Sequence, residues 1–171
     1  MSVTSDSGPL IALSKLRLLH LLPALYREVL VPSPVFDEAV TRGVAGGHDD
    51  AGILEQAVAR AELMMVDTHQ DELLPAVRAL SLGRGEQHAI HLALQRASDW
   101  LLVDDALARE AASALGLRVK GTLGILVQAF RARLLTVDQR DEVFEGLLRR
   151  DDIWLDESLT RRVWDELRRT N

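Results

Sequence analysis

Five carboxylates of this 171-residue chain stand where carboxylates can do chemistry. Asp6 directly follows the short run Ser2-Val3-Thr4-Ser5, and Asp104 and Asp105 directly follow Trp100-Leu101-Leu102-Val103. Glu38 falls about one turn into a helix opened by Ser33-Pro34, and Glu86 falls in the first turn of a helix introduced by Gly83-Arg84-Gly85. In an open parallel sheet, ligands sit outside the carboxyl ends of the strands, so acids at two strand ends share one edge. At about 4 Å and an effective dielectric near 20, a carboxylate pair repels by roughly 4 kcal/mol. Such a gathering persists when its members share a proton, or when a hard cation such as Mg2+ or Mn2+ sits among their oxygens. A metal so held deprotonates and orients a water and stabilises charge on a scissile phosphate. Phosphodiester cleavage is therefore the chemistry expected of these residues.

Each acid needs an element to hold it. Strands are expected at residues 2–5, Glu28 to Val31, Leu63 to Val66, Trp100 to Val103 and Arg118 to Lys120, all short and largely apolar. Between them, Ser7-Gly8-Pro9 opens one or two short helices through Leu22, and Ser33-Pro34 opens another with Val35, Phe36, Ala39 and Val40. Further helices are expected from about Asp50 to Arg60, from Gly83 through Ala97, after Asp105, and from Gly121 to about Arg133. Two more follow in 138–150 and 156–169. The stretch Gly43 to Gly47 is the loosest, and residues 67–82 read as a loop with a helical turn or two. Short apolar runs alternating with helices imply a parallel sheet covered on both faces, hence an α/β fold with extra C-terminal helices.

Composition narrows the function. Hydrophobic residues make up 47% and charged residues 27%, as in a globular domain, and only 4% are aromatic, so the core rests on Leu, Val, Ala and Ile. There is no cysteine, which excludes disulfides, thiolate zinc sites and a cysteine nucleophile. A net charge of −6 argues against a protein that coats nucleic acid through its overall field, while leaving room for local cations. Arg84, Arg109, Arg118, Lys120, Arg131 and Arg133 are candidates for a phosphate-binding rim, Arg84 first because it adjoins Glu86; for each the alternative is a solvated helix face. No apolar run is long enough to cross a membrane and no basic segment precedes an apolar one, so a cytoplasmic protein is expected. His88 and His91 do not share the Glu86 face well and are assigned to the surface or to packing. Gly83-x-Gly85 lacks the third glycine of a dinucleotide loop, no phosphate-binding P-loop occurs, and Asp6-Ser7-Gly8 lacks the second Asp of a haloacid-dehalogenase-type phosphatase. Trp154, Leu155, Leu159, Val163, Trp164 and Leu167 form an amphipathic stripe, suited to core or dimer packing or to a partner helix.

Five ordered motifs carry a family resemblance. Asp6 to Leu13 (D-S-G-P-L-I-A-L), Val31 to Glu38 (V-P-S-P-V-F-D-E), Gly83 to Glu86 (G-R-G-E), Leu101 to Asp105 (L-L-V-D-D) and Gly121 to Leu126 (G-T-L-G-I-L) resemble the motifs of PIN-domain nucleases. They look most like a bacterial and archaeal, DUF3368-like subgroup that includes toxin components. The resemblance covers roughly residues 3–135, giving a nuclease domain over 1–135 and a helical extension packed on it over 136–171. It implies a three-layer α/β/α fold with a short central parallel sheet. It further implies a Mg2+- or Mn2+-dependent endoribonuclease, the toxin of a toxin–antitoxin pair. Asp6, Glu38, Glu86 and Asp105 are then the catalytic acids, with Asp6, Glu86, Asp105 and its neighbour Asp104 around the metal. Arg84 and Ser7 would contact RNA; an antitoxin and a second copy of the chain are the expected protein partners. Two departures stand out: Val103 occupies a position where the family often has Ser or Thr, and Asp37 adjoins Glu38. A catalytically inactive interaction module of the same fold, or a structure-specific DNA nuclease, are the alternatives.

Overall fold

The computed structural model describes residues 1–45 and 50–170. Five strands form one sheet: β1 (Ser2–Ser5), β2 (Glu28–Pro32), β3 (Met64–Val66), β4 (Trp100–Leu102) and β5 (Val119–Lys120). All neighbours run parallel, in the order β3-β2-β1-β4-β5. Alternate residues of a strand point to opposite faces, yet Val3, Thr4 and Ser5 of β1 are all buried, as are Val29 to Pro32 of β2. Both faces of the central strands are therefore covered, as the apolar runs predict.

The chain begins in the middle of the sheet, steps outward through β2 and β3, then crosses back to place β4 and β5 on the other side of β1. That reversal makes a topological switch point between β1 and β4, the place beyond the strand ends where open α/β sheets take their ligands. Val3 pairs with Trp100 and Ser5 with Leu102, and the Asp6 amide extends the ladder by donating to the Leu102 carbonyl at 2.9 Å.

Ten helices connect and follow the strands among the described residues: α1 (Ser7–Lys15), α2 (Leu21–Leu25), α3 (Ser33–Ala45), α4 (Asp50–Ala59), α5 (Pro75–Arg78), α6 (Arg84–Gln95), α7 (Ala106–Ala114), α8 (Thr122–Arg131), α9 (Val137–Arg149) and α10 (Glu157–Arg169). Pro9 and Pro34 sit in the first turns of α1 and α3, where a missing N–H costs nothing. Helix α6 contacts β1, β2 and β4, and its Ala89, Ile90, Leu92 and Ala93 are buried. Helix α3 contacts β2, β3, α1 and α6, so the helices that carry Glu38 and Glu86 lie side by side. Helix α3 runs through Ala45 into the stretch 43–47 expected to be loosest, of which residues 46 and 47 lie outside the described residues. The expected loop 67–82 contains a 3-10 turn at Gln70–Glu72 and the short α5.

The chain divides into two compact units, Met1–Thr122 and Leu123–Asn171. In the second, Arg140 is 3% exposed. It satisfies its guanidinium by a bidentate pair with Asp141, a bond to the Leu167 carbonyl, and the Phe130 ring 4.9 Å away. Trp164 stacks on Phe144 and donates to the same Asp141. The amphipathic stripe is thus split: Leu167 is buried and Trp164 half-buried in this network, whereas Trp154 is 87% exposed and Leu159 also faces solvent. Among the described residues no helix is long and apolar enough to cross a membrane.

Leu101 of β4 is wholly buried and Trp154 is not. Truncating Leu101 to Ala is expected to cost about 2–5 kcal/mol, and Trp154→Ala to stay within about 0.5 kcal/mol, both read from chemical denaturation midpoints.

Candidate active site

Asp6 ends the central strand and stands at the N-cap position of α1 without capping it, since no side-chain hydrogen bond to the helix forms. It is 5% exposed, and its Oδ1 is buried with no hydrogen-bond partner. An ordinary N-cap aspartate would spend that oxygen on the helix; this one faces across to α6. There, the buried Gly85 leaves bare Cα surface: a Cβ on it would lie 2.5 Å from Glu38 Oε2 and 3.6 Å from Asp6 Oδ1. The side chains of β1's end and of α3 thus meet over one glycine, which is where Gly85 is required. Asp37 is exposed and Glu38 half-buried, so of that pair it is Glu38 that faces the site.

Glu86 completes the group from α6. Its Oε2 accepts the Gly83 amide at 2.7 Å, closing the first turn of the helix; Gly83 has no side chain to return the other half of a capping box. The crowding is visible in proton affinity. Burial pushes the Asp6 carboxyl from an ordinary 3.8 up to about 7; the amide of Ser7 opposes this, the negative charges of Glu38 and Glu86 add to it, and the amide of Gly8 opposes it again. Neither amide closes a cap hydrogen bond, so desolvation prevails.

Asp104 and Asp105 have opposite roles. Asp105 is exposed, sits at the N-cap of α7, and accepts the Ala108 amide at 2.8 Å. Asp104 turns inward, where its carboxylate accepts the Thr122 amide at 2.7 Å and the Thr122 hydroxyl at 2.6 Å. It also lies 3.5 Å from the Cβ position of Gly8, the residue whose amide is turned toward Asp6. Burial raises the Asp104 carboxyl, while the two Thr122 bonds and the Arg109 charge hold it down. Of the pair, Asp104 is the one held inward at the end of β4 by Thr122. Asp105, the residue that the resemblance designates, is engaged as a helix cap.

Val103 is buried at the end of β4 and supplies no hydroxyl; Thr122 supplies one to Asp104 instead. Thr122 escaped the sequence reading, although it stands in the Gly121-Thr122 motif. Gly121 is equally constrained, since a Cβ there would come 2.7 Å from Asp104 Oδ1. Ser7 is buried at the start of α1, while Arg84 is exposed at the start of α6. His88 and His91 are both buried. His88 bonds Thr68 through Nδ1 at 2.8 Å and Gln70 through Nε2 at 3.1 Å, and His91 Nδ1 accepts the Leu74 amide. They tie the 67–82 segment to α6.

Anionic oxygen donors without a satisfied partner suit a hard divalent cation, and the unbonded Asp6 Oδ1 beside Glu38 fits that description. The acids are not, however, drawn into a closed shell: among the described residues no group of three or more Asp, Glu or His is gathered closely enough to hold a metal.

The family model DUF3368, described as a PIN domain, matches residues 2–169. A PilT N-terminus domain protein from the hyperthermophilic archaeon Sulfolobus solfataricus P2 has a similar structure, with a TM-score of 0.54 at 15% identity, over 75% of this chain and 93% of that one. At that identity the likeness concerns the fold. No curated protein matches the chain.

The Asp6 carboxyl has a folded-state pKa above its unfolded value, so its linkage to stability has a definite sign. Below about 3.8 the group is protonated in both states and costs nothing; as pH rises toward about 7 the unfolded chain releases the proton first and stability falls. With a chelator present, the loss is expected to be on the order of 4 kcal/mol at most. Thermal unfolding should show Asp6→Asn gaining stability over the parent above pH 7 and losing that advantage near the bottom of this window.

Proposed function

The chain belongs to the PIN-domain family, and we propose that it is a divalent-metal-dependent endoribonuclease centred on Asp6. PIN domains are generally nucleases and usually use divalent metal ions. The observation that carries the reading is the buried, unbonded Asp6 Oδ1 meeting Glu38 over the bare Cα of Gly85. Asp6, Glu38 and Glu86 would hold the cation. When bound, a Mg2+ or Mn2+ ion supplies Lewis acidity toward a phosphodiester and toward water.

The residues themselves define the rest. Burial, with the charges of Glu38 and Glu86 beside it, raises the proton affinity of Asp6 to about 7, and the residue must give that proton up to act as a ligand. Asp104, oriented by both donors of Thr122, takes the part that the resemblance gives to Asp105, that of the acid at the end of β4. Asp105 positions α7. Arg84, exposed beside Glu86, is placed to meet an entering phosphate. RNA as substrate and the role of a toxin held by an antitoxin rest on the family resemblance.

A second reading, a non-catalytic module of the same fold, is favoured by the absence of a closed acidic shell among the described residues and by the tie between Glu86 and Gly83. Isothermal titration with Mn2+ separates the two: the nuclease reading requires binding that Asp6→Asn weakens, and a flat titration supports the module.

The purified chain is expected to cleave single-stranded RNA, to stop in EDTA, and to recover with Mg2+ or Mn2+; cleavage indifferent to chelation would overturn the mechanism. Asp6→Asn should remove the activity, and the same oligonucleotide as DNA tests whether RNA is preferred. Gly85→Ala is a finer probe. Its methyl group displaces the Glu38 carboxylate, so cleavage should fall by roughly a hundredfold. The melting temperature should hold or rise, because Ala is favoured over Gly in a helix by about 1 kcal/mol.

A further inference from the structure

Two cations, Arg118 just before the edge strand β5 and Lys120 within it, are held over one indole. The Arg118 guanidinium carbon lies 4.0 Å from the centroid of the Trp100 ring, and Lys120 Nζ lies 4.2 Å from it. Lys120 also stands 5.5 Å from the ring centre of Tyr26 and donates to its hydroxyl at 3.4 Å. The Leu101 amide donates to the Arg118 carbonyl at 2.8 Å, so the backbone is extended from Arg118 into β5; residues two apart then project to the same side, their Cα atoms roughly 6.6 Å apart. Burial lowers the proton affinity of Lys120, and the Arg118 charge lowers it further. Two like charges are thus held close together beside the one ring. Arg118 is exposed, and its guanidinium makes no hydrogen bond or ion pair among the described residues. The strand then runs directly into Gly121, against which Asp104 and Arg109 are packed.

We propose that Arg118 and Lys120 form a phosphate-binding strip that guides a nucleic-acid strand along β5 toward Asp104 and the acidic site. The inference rests on the nuclease reading and adds to it the path of the substrate. A backbone of regularly spaced anions matches a linear pair of cations at strand spacing, and aromatic rings that carry cations are a common lining of single-strand grooves. Cations on an edge strand also serve to repel other sheets; that role alone predicts no effect on RNA.

Salt dependence distinguishes these. Fluorescence anisotropy with a labelled single-stranded RNA oligonucleotide, on the full chain carrying Asp6→Asn to prevent turnover, gives the slope of log affinity against log salt. Each phosphate contact contributes about −0.7 to that slope for a single strand. Arg118→Gln and Lys120→Gln should each make it shallower by about 0.7, and the pair by about 1.4, with Arg118→Lys retaining the parent slope. Arg118 is exposed, so its variants report on binding even if Lys120→Gln disturbs Tyr26. RNA binding with an unchanged slope in both Gln variants overturns the strip and leaves the nuclease reading intact. Binding that depends on the strip in a chain that never cleaves RNA overturns the nuclease reading alone, and a chain that neither binds nor cleaves overturns both.

Discussion

A carboxylate that has lost water and keeps one oxygen without a hydrogen bond organises this molecule. Asp6 is carried into the protein by β1, whose residues are buried on both faces, and it emerges where its amide must complete the ladder to Leu102. The backbone is committed at that point, so the side chain has little freedom to retreat to solvent. Glu38 and Glu86 approach from helices that lie against each other and against the sheet. The resulting proton affinity follows from packing, with desolvation as its largest cause. Natural folds tolerate such a group mainly where it serves a site.

The sheet order explains why the acids meet here. A chain that starts at the centre and reverses direction leaves the ends of β1 and β4 side by side with no crossover between them. Asp6 and Asp104 occupy those two ends. Two glycines then leave room where a Cβ would crowd a carboxylate. Gly85 admits Glu38, and Gly121 lets the chain turn past the Asp104 carboxylate. Acid and glycine are paired there, which makes the glycines as much a part of the site as the carboxylates.

Much of this was legible in the sequence because short apolar runs bounded by Gly, Pro and Asp mark buried parallel strands well. The five expected strands and the helices between them form as read, and acids placed directly after β1 and β4 were bound to share an edge. What stayed hidden depends on contacts between distant residues. Asp104 and Asp105 are indistinguishable locally; Thr122, far along the chain, draws one inward, and the first turn of α7 takes the other. Asp37 and Glu38 were likewise equivalent until α6 packed beside α3. His88 and His91 were readable as packing residues, but not as the two ties that fasten the 67–82 segment through Thr68, Gln70 and Leu74. Local pattern gives elements; which of two adjacent acids faces inward is decided by what packs opposite.

The central position of β1 has a consequence in time. Its partners on one side are made soon after it, but β4 is synthesised only after three strands and six helices have emerged. Closing so long a loop is slow and entropically costly compared with pairing neighbours. Until that closure, the Asp6 amide has no Leu102 carbonyl and the site has only one wall. Asp104 must wait longer still, for Thr122. The meeting of the acids at the ends of β1 and β4 therefore comes late in the making of the chain, as a property of the finished sheet.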